Sequence, residues 1–252
     1  MDYSESLYFS ILPLIITIEF IVILFTYFAL TWGKRKTSEE TLSRLHNSFI
    51  GIFLVEFWYW ITTPFIIFFK LIRITPNEIT ATSIILSFIT GVLYSQGMIA
   101  LAGWMLVISS TLDMLDGRLA RETGTTTKAG AFFDSCGDRY SDIFVLIGIG
   151  VYFLSKGFSA HNLNFILSLT DYSTIIIIMF LILGTAAMSY VKARGEATGI
   201  KTKAGLMQRP ERIIMLSIYS VLDPLFRIIL GRYELNQDYC LIFLLIIMAI
   251  LI

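Results

Sequence analysis

Charge is scarce in this chain. Asp, Glu, Lys and Arg make up 15% of its 252 residues against 56% hydrophobic residues, and the mean hydropathy is +0.76. That balance excludes an ordinary soluble domain and leaves a polytopic membrane protein. Cysteine is nearly absent. Cys136 and Cys240 are the two present, too few for a disulfide framework, and Cys136 reads as a small packing residue rather than a nucleophile. The two histidines, His46 and His161, fall in polar connecting stretches without metal-ligand spacing and read as solvated surface residues. An excess of one charge is lacking too, since 19 Lys and Arg balance 19 Asp and Glu. No nucleic-acid partner is expected, and there is no internal repeat or low-complexity tract.

What the chain does have is long apolar runs. Residues 8–31 are almost continuously apolar, interrupted by Glu19, and long enough to cross a hydrocarbon core of ~30 Å. The run is too long for a signal-peptide core and no basic residue precedes it, so a retained span is expected. A linker with Lys34, Arg35, Lys36 and Arg44 follows, and the positive-inside rule assigns it to the cytoplasm. Residues 47–73 are strongly aromatic, and Pro64 would interrupt a spanning helix, so an interfacial amphipathic helix is expected there. Further spans are expected at about 77–96, 99–121, 131–155, 173–193 and 210–230, with a last one from near Cys240. On this topology every Lys and Arg except Lys156, Arg227 and Arg232 lies on the cytoplasmic side. Three divisions result: residues 1–46 as an extension with one span, 47–73 as the interfacial helix, and 74–252 as the main domain.

The few charges are concentrated. From Asp113 the sequence reads Asp-Met-Leu-Asp-Gly-Arg-Leu-Ala-Arg, then eight residues, then Gly130-Ala-Phe-Phe-Asp134-Ser-Cys-Gly-Asp138. At 3.6 residues per turn Asp113, Asp116, Gly117, Ala120 and Arg121 share one helix face, and Asp134 and Asp138 share a face of the next helix. Ionisable groups at membrane depth are costly and mark function. Four carboxylates with no Cys or His among them suit a hard cation, Mg²⁺ or Mn²⁺, and two such ions would neutralise the four charges. The alternative is a buried ion network of these acids with Arg118, Arg121 and Arg139.

The spacing Asp-x2-Asp-Gly-x2-Ala-Arg-x8-Gly-x3-Asp-x3-Asp resembles, at every fixed position, the signature of the CDP-alcohol phosphotransferase family of membrane enzymes. The resemblance implies an all-α integral membrane fold with a six-helix transmembrane core, to which the N-terminal span and the interfacial helix are added. It also implies attack by an alcohol on the phosphoryl group of a CDP-linked lipid with release of CMP. In that scheme Asp113, Asp116, Asp134 and Asp138 are ligands of two Mg²⁺ ions, with Mn²⁺ an alternative, and Asp138 is also the general base. Gly117 and Gly130 would let the nucleotide approach closely, Arg121 would answer its charge, and Thr127 matches a further nucleotide contact. Thr75, Pro76 and Asn77 carry two readings: a helix N-cap with Pro at the first helical position, or the family's contact to the CDP moiety.

For the acceptor, Lys192, Arg194, Arg209 and Arg212 bracket one cytoplasmic loop and Lys128 lies in the spacer between the acidic helices. A basic cluster near an acidic metal site suggests a phosphorylated acceptor. A positive-inside loop touching membrane lipid headgroups would carry the same charges. The segments Ser-Tyr-Val-Lys-Ala-Arg-Gly-Glu-Ala-Thr-Gly and Gln-Arg-Pro-Glu-Arg-Ile-Ile are similar to phosphatidylinositol phosphate synthases within this family, which implies inositol phosphate as the acceptor. Glycerol phosphate, inositol and serine are the alternatives, and a CDP-lipid-binding protein without catalysis is the non-enzymatic one. A homodimer in the cell membrane, with the site at its cytoplasmic face, is expected.

Overall fold

A computed structural model describes residues 3–31, 52–159, 169–200, 207–233 and 238–252. The described residues form eight helices and no strand: α1 (Tyr3–Thr31), α2 (Ile52–Leu71), α3 (Pro76–Ser95), α4 (Ile99–Thr123), α5 (Lys128–Ser159), α6 (Leu169–Ala197), α7 (Arg209–Arg232) and α8 (Tyr239–Leu251). The six helices α3–α8 follow the expected spans within a few residues. Four of them, α3, α4, α6 and α7, are both long and apolar enough to cross a membrane. The 32-residue α5 carries the acids in its first turns, and the 13-residue α8 is short of a full bilayer crossing. The basic linker after α1, and both histidines, fall outside the described residues.

Helix α3 packs between α4 and α5, α4 leans on α7, and α5 continues through α6 to α8. Lipid offers no hydrophobic drive for helices to associate, so close backbone approach decides which pairs meet. At the α3–α5 crossing Gly91 and Gly148 face each other so tightly that a Cβ on either would meet the partner helix backbone. Around this crossing Tyr94, Ile149, Phe153, Leu181 and Leu245 form the fully buried core. Large apolar side chains on the outer face of α6, including Met179, Phe180 and Leu183, stay exposed, as suits a lipid-facing surface.

Helix α2 runs through Pro64 without a break, contrary to the expected interruption. The hydroxyls of Thr62 and Thr63 donate to the carbonyls of Trp58 and Tyr59, and Arg118 of α4 also donates to Tyr59 O at 2.7 Å. These donors gather on the turn before the proline, next to Trp60, whose carbonyl is the one that loses its ladder donor at Pro64. Arg118 further reaches Thr62 Oγ1 (2.9 Å), Thr63 Oγ1 (3.0 Å) and Glu122 (2.9 Å), and its guanidinium lies 5.0 Å from the centre of the Tyr59 ring. Lys70 closes the same seam on Glu122 at 2.6 Å. The back of α4 is thereby fixed to α2, with Ile66, Ile79, Leu115 and Leu119 forming a second small core beneath. On the α1 side, Phe28 packs on Phe57 and Trp60 at centroid distances of 5.4 and 5.6 Å.

At the end of the bundle remote from the acids a second polar cluster ties α5, α7 and α8 together. Asp238, just before α8, accepts from Tyr152 (2.8 Å), Arg227 (3.3 Å) and Lys156. Arg227 also pairs with Asp223, one turn back on its own helix, at 2.6 Å. Lys156 and Arg227 are two of the three bases assigned to the outer side by charge bookkeeping, and they meet here. Residues 138 and 156 of α5 are separated by about 27 Å at 1.5 Å per residue.

Candidate active site

Two helix N-termini build one wall of the site. Thr75 caps α3 through a reciprocal box: its Oγ1 accepts from Glu78 N–H at 3.4 Å, and the Glu78 carboxylate accepts from Thr75 N–H at 2.7 Å. At the start of α5 Thr127 supplies one half of such a box, its Oγ1 accepting from Gly130 N–H at 3.0 Å. A Cβ at Gly130 would stand 3.1 Å from Thr127 Oγ1 and 3.3 Å from Asn77 Oδ1, so glycine there lets the two N-termini converge. Two converging positive dipole ends favour an anion.

Between them and α4 lies a cleft of about 630 Å³. Thr75, Pro76, Asn77, Gly117, Arg121, Thr127 and Gly130 line it, which brings together every residue the sequence assigned to the CDP-lipid. At Gly117 the space beside the backbone is open except for the Arg121 guanidinium, 3.3 Å from where a Cβ would stand. Asp116 and Asp134 also line the cleft. Asp116 is almost fully buried and accepts from Thr80 Oγ1 and from the Gly117 backbone N–H.

Asp113, Asp134 and Asp138 form the acidic centre, each presenting a carboxylate oxygen within 4.8 Å of the others. Three hard oxygen donors at this spacing fit a divalent cation. Asp134 belongs to both the centre and the cleft, so a cation there would border the cleft's contents. Asp116 is not one of the three clustered acids; it lies on the cleft side of them.

Arg209, at the start of α7, points into the acidic centre. Its Nη1 lies 2.7 Å from Asp113 Oδ2 and 2.6 Å from Asp138 Oδ1, and its Nε donates to Asp142 Oδ1 at 3.0 Å. Arg212, one turn on, is buried and donates to Asp142 Oδ2 at 3.1 Å. Both arginines border a smaller cavity that runs inward past Asp113 and Asp142 and is lined by Ser87, Ser109, Ser110, Ser141 and Thr185. Of the other basic residues assigned to the acceptor, Lys128 opens α5, and Lys192 and Arg194 lie on the last turns of α6. All three are exposed and border neither cavity.

Of the three arginines named for an ion network, Arg121 lines the cleft with Asp116 and Asp134, and the other two have partners elsewhere. Arg118 turns away to α2 and Arg139 donates to the Ser135 carbonyl of its own helix. The arginine that does meet the acids comes from far along the chain, Arg209 being 96 residues from Asp113. Sequence reading assigned no role to Asp142, Thr80 or the serines of the inner cavity. Asp142 had one visible signal, its position four residues after Asp138 on the same helix face.

The comparisons agree with this geometry. The family model for CDP-alcohol phosphatidyltransferase matches residues 73–251. The chain is 34% identical over 152 residues to archaetidylinositol phosphate synthase of Pyrococcus horikoshii, which covers 60% of this chain and 71% of the relative. It is 33% identical over 149 residues to phosphatidylinositol phosphate synthase of Mycobacteroides abscessus, covering 56% of this chain and 60% of that one. The crystal structure of Mycobacterium tuberculosis phosphatidylinositol phosphate synthase with CDP-DAG bound superposes with a TM-score of 0.61 at 25% identity, over 76% of this chain and 87% of that one. The same enzyme in complex with manganese and citrate gives a TM-score of 0.60 at 25% identity, over 75% and 82%. With the acidic signature, the capped cleft and a matched region spanning α3 to α8 all in accord, the chain belongs to the CDP-alcohol phosphatidyltransferase family of integral membrane enzymes.

Proposed function

We propose that the protein transfers a phosphatidyl-type group from a CDP-linked lipid to inositol phosphate, releasing CMP. The observation that carries this reading is that Asp134 joins the acidic centre to the cleft, so that one carboxylate borders both. Relatives named for phosphatidyl and for archaetidyl lipids share inositol phosphate in their names, which supports that acceptor and leaves the lipid tail open.

In this reading Thr75, Asn77, Gly117, Arg121, Thr127 and Gly130 hold the nucleotide, with the two helix N-termini facing its phosphates. A hydroxyl oxygen of the acceptor bonds to the lipid phosphorus while the bond from that phosphorus to the CMP oxygen breaks. Asp138 takes the proton lost from the hydroxyl. Asp113, Asp116, Asp134 and Asp138 would hold divalent cations, two Mg²⁺ per site balancing four carboxylates, with Mn²⁺ an alternative. Such cations, when bound, offset the charge of the diphosphate and of the departing CMP. Lys128, Lys192 and Arg194, together with Arg209 and Arg212, supply the positive field for the acceptor phosphate.

The positive-inside distribution supports a cytoplasmic orientation for this end of the bundle. Residues 74–252 form the catalytic domain, in line with the matched region, and 1–46 and 47–73 are the added span and the interfacial helix. The test is CMP release by the purified protein with CDP-diacylglycerol and a panel of inositol phosphate, glycerol phosphate, inositol and serine. Release with inositol phosphate and little with the others is expected. Comparable rates with free inositol would remove the case for a phosphorylated acceptor.

A further inference from the structure

Four described residues have φ in the left-handed region, and three of them are glycines: Gly97, Gly124 and Gly199. The fourth is Arg73, at φ 59°. It follows α2 in a turn closed by Ile74 N–H on the Phe69 carbonyl at 3.1 Å, the arrangement in which helices usually place glycine. An L side chain is disfavoured in this conformation, and residues kept there against the local preference cluster at ligand sites.

Arg73 lines the same cleft as Asp116 and Asp134. Its side chain is exposed and makes no ion pair with another described residue, whereas Lys70, three residues earlier, is held by Glu122. That pairing fixes the turn beside the last residues of α4. Asp116 lies six residues back along α4, about 9 Å. The cleft thus runs from the acids to the Arg73 guanidinium over a length that a nucleoside monophosphate can span.

We propose that Arg73 is a recognition residue for the nucleotide half of the CDP-lipid, donating from its guanidinium to the CMP moiety at the end of the cleft away from the acids. The proposal rests on the reading of the cleft as the CDP-lipid site. It assigns the cost of a non-glycine residue at this turn to ligand binding.

The substitution that tests it is Arg73→Gly, because glycine relieves the backbone while removing the cation. The full-length protein in nanodiscs with Mn²⁺ is titrated with CMP, and thermal unfolding is measured alongside. The expected result is an unchanged or higher Tm together with CMP binding weakened about tenfold, the loss of one charge-assisted hydrogen bond, and with recovery of part of the affinity in Arg73→Lys. The KM for the CDP-lipid should rise while that for the acceptor stays unchanged. CMP affinity equal to wild type in Arg73→Gly overturns the proposal. So does an effect on turnover that appears only in anionic vesicles with CMP binding intact, since Arg73 then contacts bulk lipid headgroups. Failure of the wild type itself to bind CMP would instead overturn the reading of the cleft.

Discussion

Arg212 and Asp142 pair at 3.1 Å between α7 and α5, with 9% and 12% of their side chains exposed. Asp142 also receives Arg209, so one carboxylate fixes the direction of both arginines. Arg212 further donates to the Met207 carbonyl at 3.4 Å, so that both of its terminal nitrogens have partners within the protein. Removing one partner of a buried pair leaves the other charge uncompensated, at about 3–5 kcal/mol. Because Arg209 stays on Asp142, Arg212→Ala should cost about 3 kcal/mol, the lower end of that range. Thermal unfolding in detergent checks it, and a wild-type Tm would show that the pair is not structural.

Arg194 is the cleaner probe of the acceptor. It is exposed and has no ion-pair partner among the described residues. Arg194→Ala should therefore raise the KM for inositol phosphate by roughly tenfold or more, at the value of one hydrogen bond to a charged group. The KM for the CDP-lipid should stay nearly constant. A variant with unchanged acceptor kinetics but weaker membrane association would assign this base to lipid headgroups.

For Asp138→Asn the expectation is loss of transfer with CDP-lipid binding retained. The amide cannot take the acceptor proton, and Asp138 is absent from the cleft lining. Single-turnover assays beside equilibrium binding separate the two effects; near-normal turnover would remove Asp138 as the base.

Activity should depend strictly on a divalent cation, since three carboxylates within 4.8 Å repel one another and a diphosphate. Mn²⁺ binding followed by electron paramagnetic resonance should weaken in Asp113→Asn and Asp134→Asn. Turnover that survives exhaustive chelation would rule out the metal reading.

Breaking the seam between α2 and α4 should be felt in the cleft. Arg118→Ala removes four hydrogen bonds and a ring contact from the back of the helix that carries Asp113, Asp116, Gly117 and Arg121. A rise in the CDP-lipid KM with a fall in Tm is expected, and Arg118→Lys should not restore it because an ammonium lacks the planar fork. Wild-type kinetics in both variants would make the seam irrelevant to the site.

The legible and illegible parts of the chain divide by sequence distance. The helices follow from apolar runs and local caps: Thr75 and Pro76 open α3 as read, and Asp113, Asp134 and Asp138 meet from the two helices, while Asp116 stands beside them in the cleft. Arg209 was legible as a base near the site but not as the partner of Asp113 and Asp138. Only the packing of α7 on α4 brings it there, and candidate partners drawn from the neighbouring sequence, Arg118 and Arg139, turned elsewhere. Pro64 misled for the opposite reason. Its local effect was judged without Arg118, 54 residues on, whose guanidinium meets the turn before it. The inner cavity gave no signal, because single serines in apolar runs look alike whether they face lipid or a chamber.

The polar cluster at the far end of the bundle bears on the order in which this protein is made. Arg227 can be neutralised as soon as its own helix forms, by Asp223 one turn away. Lys156 has no acidic residue within a turn of it in the sequence, and it pairs with Asp238, 82 residues later in synthesis. During biogenesis the Lys156–Asp238 pair therefore cannot close until α6 and α7 have emerged, and the docking of α8 is the event that completes it. The Asp238→Asn protein should insert with normal topology but release α8 to proteases, whereas an undisturbed, protease-resistant α8 would mean that apolar packing alone completes assembly.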